Sequence, residues 1–201
     1  MVIRIHVNKT KLLWVGLFLI VMLFIGLVEA LIYNSMKIES HVGVVSLKIQ
    51  YKCGETSSTT QNIKPFIIVF NTGIANVSLT SIKIRYWFTS EPLGEDVFSC
   101  EYAEVGASTV IGSFGSSGNK YYLEIGFTSN ATVPLERGGD GTPNKLPAGA
   151  NTGEIQIKIY NEDLYNQTDD YSFDPTKTDY ADWYKITIYY QGALAWGTEP
   201  A

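Results

Sequence analysis

The sequence predicts an all-β domain that follows an N-terminal apolar segment, and two observations support this fold class. Apolar and polar residues alternate with a period of two along several short stretches between residue 44 and the end of the 201-residue chain. Such alternation, with many β-branched and aromatic residues, is typical of half-buried strands. Turns rich in glycine, asparagine and proline separate these stretches. About eight short strands without a helical pattern between them predict an antiparallel sandwich or jelly roll.

The first element is an apolar run without charge at residues 12–28, LLWVGLFLIVMLFIGLV. As a helix it would span roughly 26 Å, close to the thickness of a bilayer core. Arg4, Lys9 and Lys11 precede the run and place the N-terminus in the cytoplasm by the positive-inside rule. The run predicts an N-terminal hydrophobic helix.

This helix divides the chain into four predicted parts. We expect a cytoplasmic head at residues 1–11, a transmembrane anchor or signal segment at 12–33, a short stalk at 34–43 and a folded domain at 44–201. Because a cleavage site lies near Ala30, the segment has two alternative fates: it is removed as a signal peptide or retained as an anchor. In both cases residues 34–201 are extracellular or at the cell surface, where 12 basic and 19 acidic residues give a net charge of −7.

The predicted strands follow in chain order. Most alternate between apolar and polar residues, whereas PFIIVF at 65–70 is continuously apolar and begins with a proline, where the missing N–H is tolerated. The stretches are 44–52, 65–70, 82–88, 121–127, 155–160 and 186–190.

Composition narrows the classes of function. The 15 basic and 20 acidic residues of the whole chain give a formal net charge of −5. This balance argues against a nucleic-acid partner, because phosphate binding depends on clustered lysine and arginine. The only histidine after the apolar run, His41, is too isolated for a Ser/His/Asp arrangement, so we expect no enzymatic activity.

Several stretches in fixed order resemble one known family. They are SLKIQY (46–51), IKP (63–65) with NTG (71–73), LTSIKIRYWFT (79–89), CEYA (100–103), YLEIGF (122–127), DYSF (170–173) and LAWGTEP (194–200). Together they resemble family 3 carbohydrate-binding modules, the cellulose-binding modules of bacterial cellulosomal scaffoldins and cellulases, over about residues 44–200. The resemblance implies a jelly-roll sandwich of about nine strands, a structural calcium ion and no catalysis.

The resemblance also implies a flat strip on one sheet, where aromatic rings stack on glucose faces and an acid–base pair lies between them. Glu101 and Tyr102 occupy the positions of the family's Asp-His pair, and Lys158 aligns with its arginine. The strip tryptophan falls at Leu164 or Tyr165. The candidate carbohydrate-binding residues are therefore Glu101, Tyr102, Lys158 and Tyr165, with ordinary outward-facing strand residues as the alternative.

The implied calcium site comprises two groups of oxygen donors. Thr89 and Glu91 correspond to the family's first pair, and Asn166, Asp169 and Asp170 correspond to its second group. Calcium takes six to eight oxygen ligands, so this set is chemically suitable. A solvated acidic loop is the alternative.

Cys53 and Cys100 are the only cysteines. Outside the cytoplasm an even number of cysteines predicts a disulfide, and a bridge here would add roughly 3–4 kcal/mol in the chain-entropy model. Two buried free thiols are the alternative.

Two functions from different classes follow. The first is a non-catalytic module that is tethered to the membrane and binds a polysaccharide such as cellulose. The second is a structural subunit of a surface layer or extracellular filament, which would use the same fold for self-assembly without strong glycan binding.

Overall fold

The computed structural model describes Met22 and residues 44–89 and 95–201. The predicted head, apolar segment and stalk lie outside the described residues, apart from Met22, and so does Glu91. Within the described part of the chain no helix has the length and apolarity that a membrane crossing requires. Residues Val44–Ala201 form one compact unit.

The described residues of this unit contain thirteen strand segments, joined by turns and 3-10 helices of three residues each. The strands are β1 Leu47–Cys53, β2 Thr59–Ile63, β3 Pro65–Asn71, β4 Val77–Ser78, β5 Ile82–Phe88, β6 Val97–Ala103, β7 Val110–Ser117, β8 Lys120–Phe127, β9 Lys145–Leu146, β10 Ile155–Asn166, β11 Ala181–Asp182, β12 Ile186–Tyr190 and β13 Ala193–Trp196.

Two antiparallel sheets build the unit. The six-stranded sheet has the order β11-β1-β3-β10-β2, and β6 pairs with β10 along its other edge. The five-stranded sheet has the order β13-β12-β5-β8-β7, and β4 and β9 form a separate small pair. The all-β sandwich that the sequence predicted is confirmed. The strand count differs from about nine, because short pairings such as β4–β9 add segments that carry no alternating pattern.

The core lies between the two sheets because each strand turns every second side chain inward. In β1 the residues alternate strictly between buried and half-buried, and in β5 the three residues Ile82, Ile84 and Tyr86 are fully buried. The rings of Tyr51 on β1 and Tyr86 on β5 lie 6.4 Å apart and join the two sheets. Burial of each large side chain contributes about 1.5–3 kcal/mol of hydrophobic free energy.

The predicted disulfide between Cys53 and Cys100 is wrong. Both residues are free thiols, one at the end of β1 and one on β6. Strands β3 and β10 lie between them in the sheet, so three inter-strand spacings of about 4.8 Å separate the two backbones by roughly 14 Å. A disulfide requires Cα atoms within about 7 Å. Burial raises the pKa of the Cys53 thiol, and it raises that of Cys100 to about 11.

Candidate functional site

Strand β10 organises the outer face of the six-stranded sheet. Its residues Ile155, Ile157 and Ile159 are fully buried, so the residues between them point outward. One edge of β10 pairs with β3 and then β2, and the other edge pairs with β6. Side chains from four strands therefore meet on this face.

A β-bulge in β6 presents two neighbouring residues on the same surface. Ala103 is opposite Ile155 and Tyr102 is opposite Gln156, but the next pair joins Cys100 to Ile157, which leaves Glu101 as the extra residue. Bulges often redirect side chains at functional positions. Both Glu101 and Tyr102 are exposed, and 48% of the Tyr102 surface is accessible.

Glu101 lies between two lysines. Its Oε1 is 2.9 Å from Nζ of Lys158, and its Oε2 is 3.3 Å from Nζ of Lys64. The hydrogen bond from Lys158, supported by Lys64, holds the pKa of the Glu101 carboxyl below its ordinary value although partial burial acts in the opposite direction. The structure thus brings the predicted Glu101, Tyr102 and Lys158 together.

Lys64 is a participant that the sequence reasoning missed. It lies between β2 and β3 on one side of β10, and its side chain reaches over β10 to Glu101 of β6 on the other side. No motif marks this lysine, because its proximity to Glu101 depends on the order of strands in the sheet rather than on sequence spacing.

Tyr165 is not part of this surface, and its predicted role in carbohydrate stacking is wrong. Only 1% of the residue is exposed, its ring packs edge-on against Phe88 with centroids 6.1 Å apart, and its hydroxyl donates to Oδ1 of Asp96 at 2.5 Å. The residue has the same parity along β10 as Ile155 and Ile157, which is a signal in the sequence that predicts an inward position. Burial and the bond to Asp96 raise its pKa.

Two of the outward positions near the end of β10 are apolar, Tyr160 and Leu164, and the exposed Glu162 lies between them. Leu164 is 59% exposed, and Tyr160 is half-buried, with Val97 of β6 and Asn62 of β2 opposite it. The same parity argument places Tyr160 outward within the predicted strand 155–160, and it places Leu164 outward once β10 is extended beyond residue 160. The face therefore combines exposed apolar groups with one charged cluster and is suited to a flat, extended ligand.

The predicted calcium ligands are brought together in part. The backbone N–H of Thr89 donates to Oδ1 of Asp170 at 2.7 Å, and the Thr89 hydroxyl donates to the carbonyl of Asp169 at 3.3 Å. Asn166 begins the adjacent 3-10 helix, where its Oδ1 accepts from the N–H of Thr168 at 3.3 Å. Within residues 44–89 and 95–201, no group of three or more acidic, histidine or cysteine side chains is placed to hold a metal. Glu91 is not among these residues.

The opposite sheet carries a second cluster that the sequence did not indicate. The Arg85 guanidinium on β5 lies over the rings of Tyr122 and Tyr189, with its carbon 4.1 and 4.4 Å from their centroids. Its Nε donates to Oε2 of Glu124 at 3.0 Å. These contacts tie β12, β5 and β8 together on the outer side of the five-stranded sheet.

Comparison with known proteins agrees with this fold. The model of the cellulose binding domain family matches residues 48–197. The chain therefore belongs to this family, the family 3 carbohydrate-binding modules.

Relatives and solved structures of this family resemble the described unit. "Beta-mannanase/endoglucanase A" of Caldicellulosiruptor saccharolyticus is 37% identical over 77% of this chain, which spans only 11% of that relative's length. The module CBM3b of the cellulosomal cellobiohydrolase 9A from Clostridium thermocellum is 39% identical, with a TM-score of 0.68, and the match covers 77% of this chain and 98% of the module. A biomass sensing module from putative RsgI-like proteins of Clostridium thermocellum is 34% identical, with a TM-score of 0.69, over 78% of this chain and all of that structure.

Proposed function

We propose that residues 44–201 are a non-catalytic module that binds a cellulose-type polysaccharide through the outer face of the six-stranded sheet. The observation that carries the proposal is the partly exposed Glu101–Lys158 ion pair beside the exposed Tyr102, in a member of the cellulose binding domain family. An exposed ring offers apolar area to the C–H face of a sugar, and the ion pair offers donors and acceptors to its hydroxyls. Such a face needs no closed pocket.

The absence of catalysis is part of the proposal. The matched solved structures are binding modules, although the "Beta-mannanase/endoglucanase A" relative that contains a matching segment is named as an enzyme. Glu101 is held as a charged carboxylate by two lysines, which suits an acceptor of hydrogen bonds and not a general acid.

The proposed location is the cell surface or the extracellular space. The support is the apolar run at residues 12–28 with basic residues before it, which predicts a membrane anchor or a signal segment. The likeness to a biomass sensing module is consistent with a module that is displayed outside the cell. A tethered module of this kind would hold a cell near its polysaccharide or report that contact to a partner.

Calcium binding near Thr89 is a further part of the proposal. The Thr89 hydroxyl, the Asp169 carbonyl and the Asp170 carboxylate are neighbours, and Asn166 lies one short 3-10 helix away. These oxygen donors fit the preferences of calcium. The ion would stabilise the connection between the end of β5 and the loop after β10.

Removal of the metal tests this part. Calcium at a hundredfold excess over its Kd would add about 2.7 kcal/mol to the free energy of unfolding, so EDTA should lower the Tm and added calcium should restore it. An unchanged Tm, together with metal analysis that finds no calcium, would remove calcium from the proposal.

Adsorption to insoluble cellulose tests the binding function itself. Wild-type protein should be depleted from solution by crystalline or amorphous cellulose, and Tyr102→Ala should remain in solution. Tyr121→Ala is the matched control, because Tyr121 is 46% exposed on the five-stranded sheet. Wild-type protein that stays in solution, or a control variant that loses binding as strongly as Tyr102→Ala, would contradict the proposal.

The alternative role as a structural subunit is favoured by one observation. Strand β13 ends the five-stranded sheet, and its residues Ala193–Ala195 are exposed, with Leu194 49% accessible. An exposed apolar edge strand can pair with a strand of another copy. Sedimentation of the protein over a range of concentrations would show ordered assembly if this role holds, and a monomer throughout would argue against it.

A further inference from the structure

The second aromatic ring of the predicted strip is absent from both positions that the sequence suggested. Leu164 is outward-facing but aliphatic, and Tyr165 is buried in the core. If the outer face binds a polysaccharide as proposed above, Tyr102 is the one residue of the predicted strip whose ring is available for stacking.

Tyr160 lies on the same surface as the charged cluster. It belongs to the outward series of β10 that contains Gln156 and Lys158, and the residue before it, Ile159, is fully buried. Its cross-strand neighbours are Val97, which is 52% exposed, and Asn62. The ring is half-buried, so one part packs on the sheet while another part meets solvent. A ring supported in this way loses little conformational entropy when a ligand stacks on it.

The spacing places the two tyrosines on opposite sides of the ion pair. Tyr102 is opposite Gln156, and Tyr160 is four residues further along β10, with Lys158 between them. At about 3.4 Å per residue along the strand and about 4.8 Å across to β6, the two Cα atoms are roughly 14 Å apart. The order along the face is therefore a ring, the Glu101–Lys158 pair, and a second ring.

We infer that Tyr160 supplies the second stacking ring and thereby sets the preference of this module for a flat, extended polysaccharide chain. A chain that crosses both rings contacts the charged pair at its middle, whereas a short or strongly bent glycan reaches only one ring. Val97, directly opposite Tyr160 on β6, extends the apolar area around it. The inference rests on the proposed function, because it names the residue that completes the same face.

Adsorption isotherms of variants test the role of Tyr160. The full-length chain, kept in solution with a mild detergent, is titrated onto crystalline cellulose and compared with a soluble disaccharide of the same linkage, which is shorter than the spacing of roughly 14 Å between the two tyrosines. Tyr160→Ala and Tyr160→Leu should both bind cellulose about tenfold more weakly, as expected when one of the two aromatic contact residues of an interface is truncated. Tyr160→Phe should bind within about twofold of wild type, because stacking requires the ring and not the hydroxyl.

The second readout is the preference between ligands. Loss of the ring should reduce the ratio of affinities for cellulose and for the disaccharide, because the disaccharide can stack on Tyr102 alone; a merely structural residue would leave this ratio unchanged. Tyr160→Leu retains most of the buried volume, so it keeps the test valid if Tyr160→Ala fails to fold. Tyr121→Ala should keep the wild-type isotherm.

The outcomes separate the two claims. If wild-type protein binds cellulose but a folded Tyr160→Leu binds equally well, Tyr160 is an ordinary surface residue and only this inference fails. If wild-type protein binds neither ligand, the proposed function fails and the inference falls with it. Weak binding by Tyr160→Phe would also overturn the inference, since it would assign the effect to the hydroxyl.

Discussion

Substitution of Tyr165 should destabilise the fold and leave carbohydrate binding intact. The residue is 1% exposed, its ring packs against Phe88, and its hydroxyl bonds to Asp96. Tyr165→Ala removes a buried aromatic ring and should cost about 3–5 kcal/mol of unfolding free energy. For a unit of this size each kcal/mol lowers the Tm by roughly 2–4 °C, so the expected fall is roughly 6–20 °C.

Tyr165→Phe isolates the hydroxyl. It keeps the ring but removes the donor to Asp96, and we expect a loss of about 1–3 kcal/mol, because the carboxylate then lacks one partner. Because Tyr165 has a raised pKa, its hydroxyl stays protonated at neutral pH. The difference in unfolding free energy between wild type and Tyr165→Phe should therefore not depend on pH between 5 and about 8.

Thermal unfolding followed by circular dichroism, paired with cellulose adsorption well below the Tm, measures both effects. The reference variant is Tyr102→Ala, for which we expect the reverse pattern of unchanged Tm and weakened adsorption. A Tyr165→Ala protein with wild-type Tm and lost adsorption would refute the placement of this ring in the core.

Two further predictions concern titratable groups. Because folding lowers the pKa of Glu101, its ion pairs are complete above the pKa of the carboxyl in the unfolded chain and are lost as the pH falls through the lower pKa of the folded protein. Cellulose adsorption should therefore stay constant from pH 8 to about 5 and decline only below about 4. Glu101→Gln should remove this pH dependence. Cys53 and Cys100 should both be alkylated in denaturant without a reductant, and slowly in the folded protein because burial raises both pKa values. A mass that shifts only after reduction would restore the disulfide.

The sequence predicted those strands that have one face in the core. β1, β3, β5, β8 and β12 carry clear alternation or continuous apolar character, and all of them lie within the sandwich. β6 and β7 were not predicted, because few of their residues are buried. β7, with the sequence VIGSFGSS, is an edge strand whose glycines and serines resemble a turn.

The candidate site shows where sequence reasoning stops. Resemblance assigned Glu101 and Lys158 to the same strip, but the contact of Glu101 with Lys64 depends on which strand lies next to β10. Parity along β10 places Tyr160 outside within the predicted strand 155–160, whereas Tyr165 lies beyond the end of that predicted strand. Strand order, which no local pattern contains, also separates Cys53 from Cys100.

Covalent labelling of lysines on cellulose tests the central claim that the outer face of the six-stranded sheet is the binding surface. Lys64 and Lys158 line the charged cluster on that face with 31% of each side chain exposed, whereas Lys83 lies on the five-stranded sheet with 42% exposed. Acetylation of free and cellulose-bound protein, read by mass spectrometry, should show strong protection of Lys64 and Lys158 and unchanged labelling of Lys83. Protection of Lys83 with continued labelling of Lys64 and Lys158 would contradict the account.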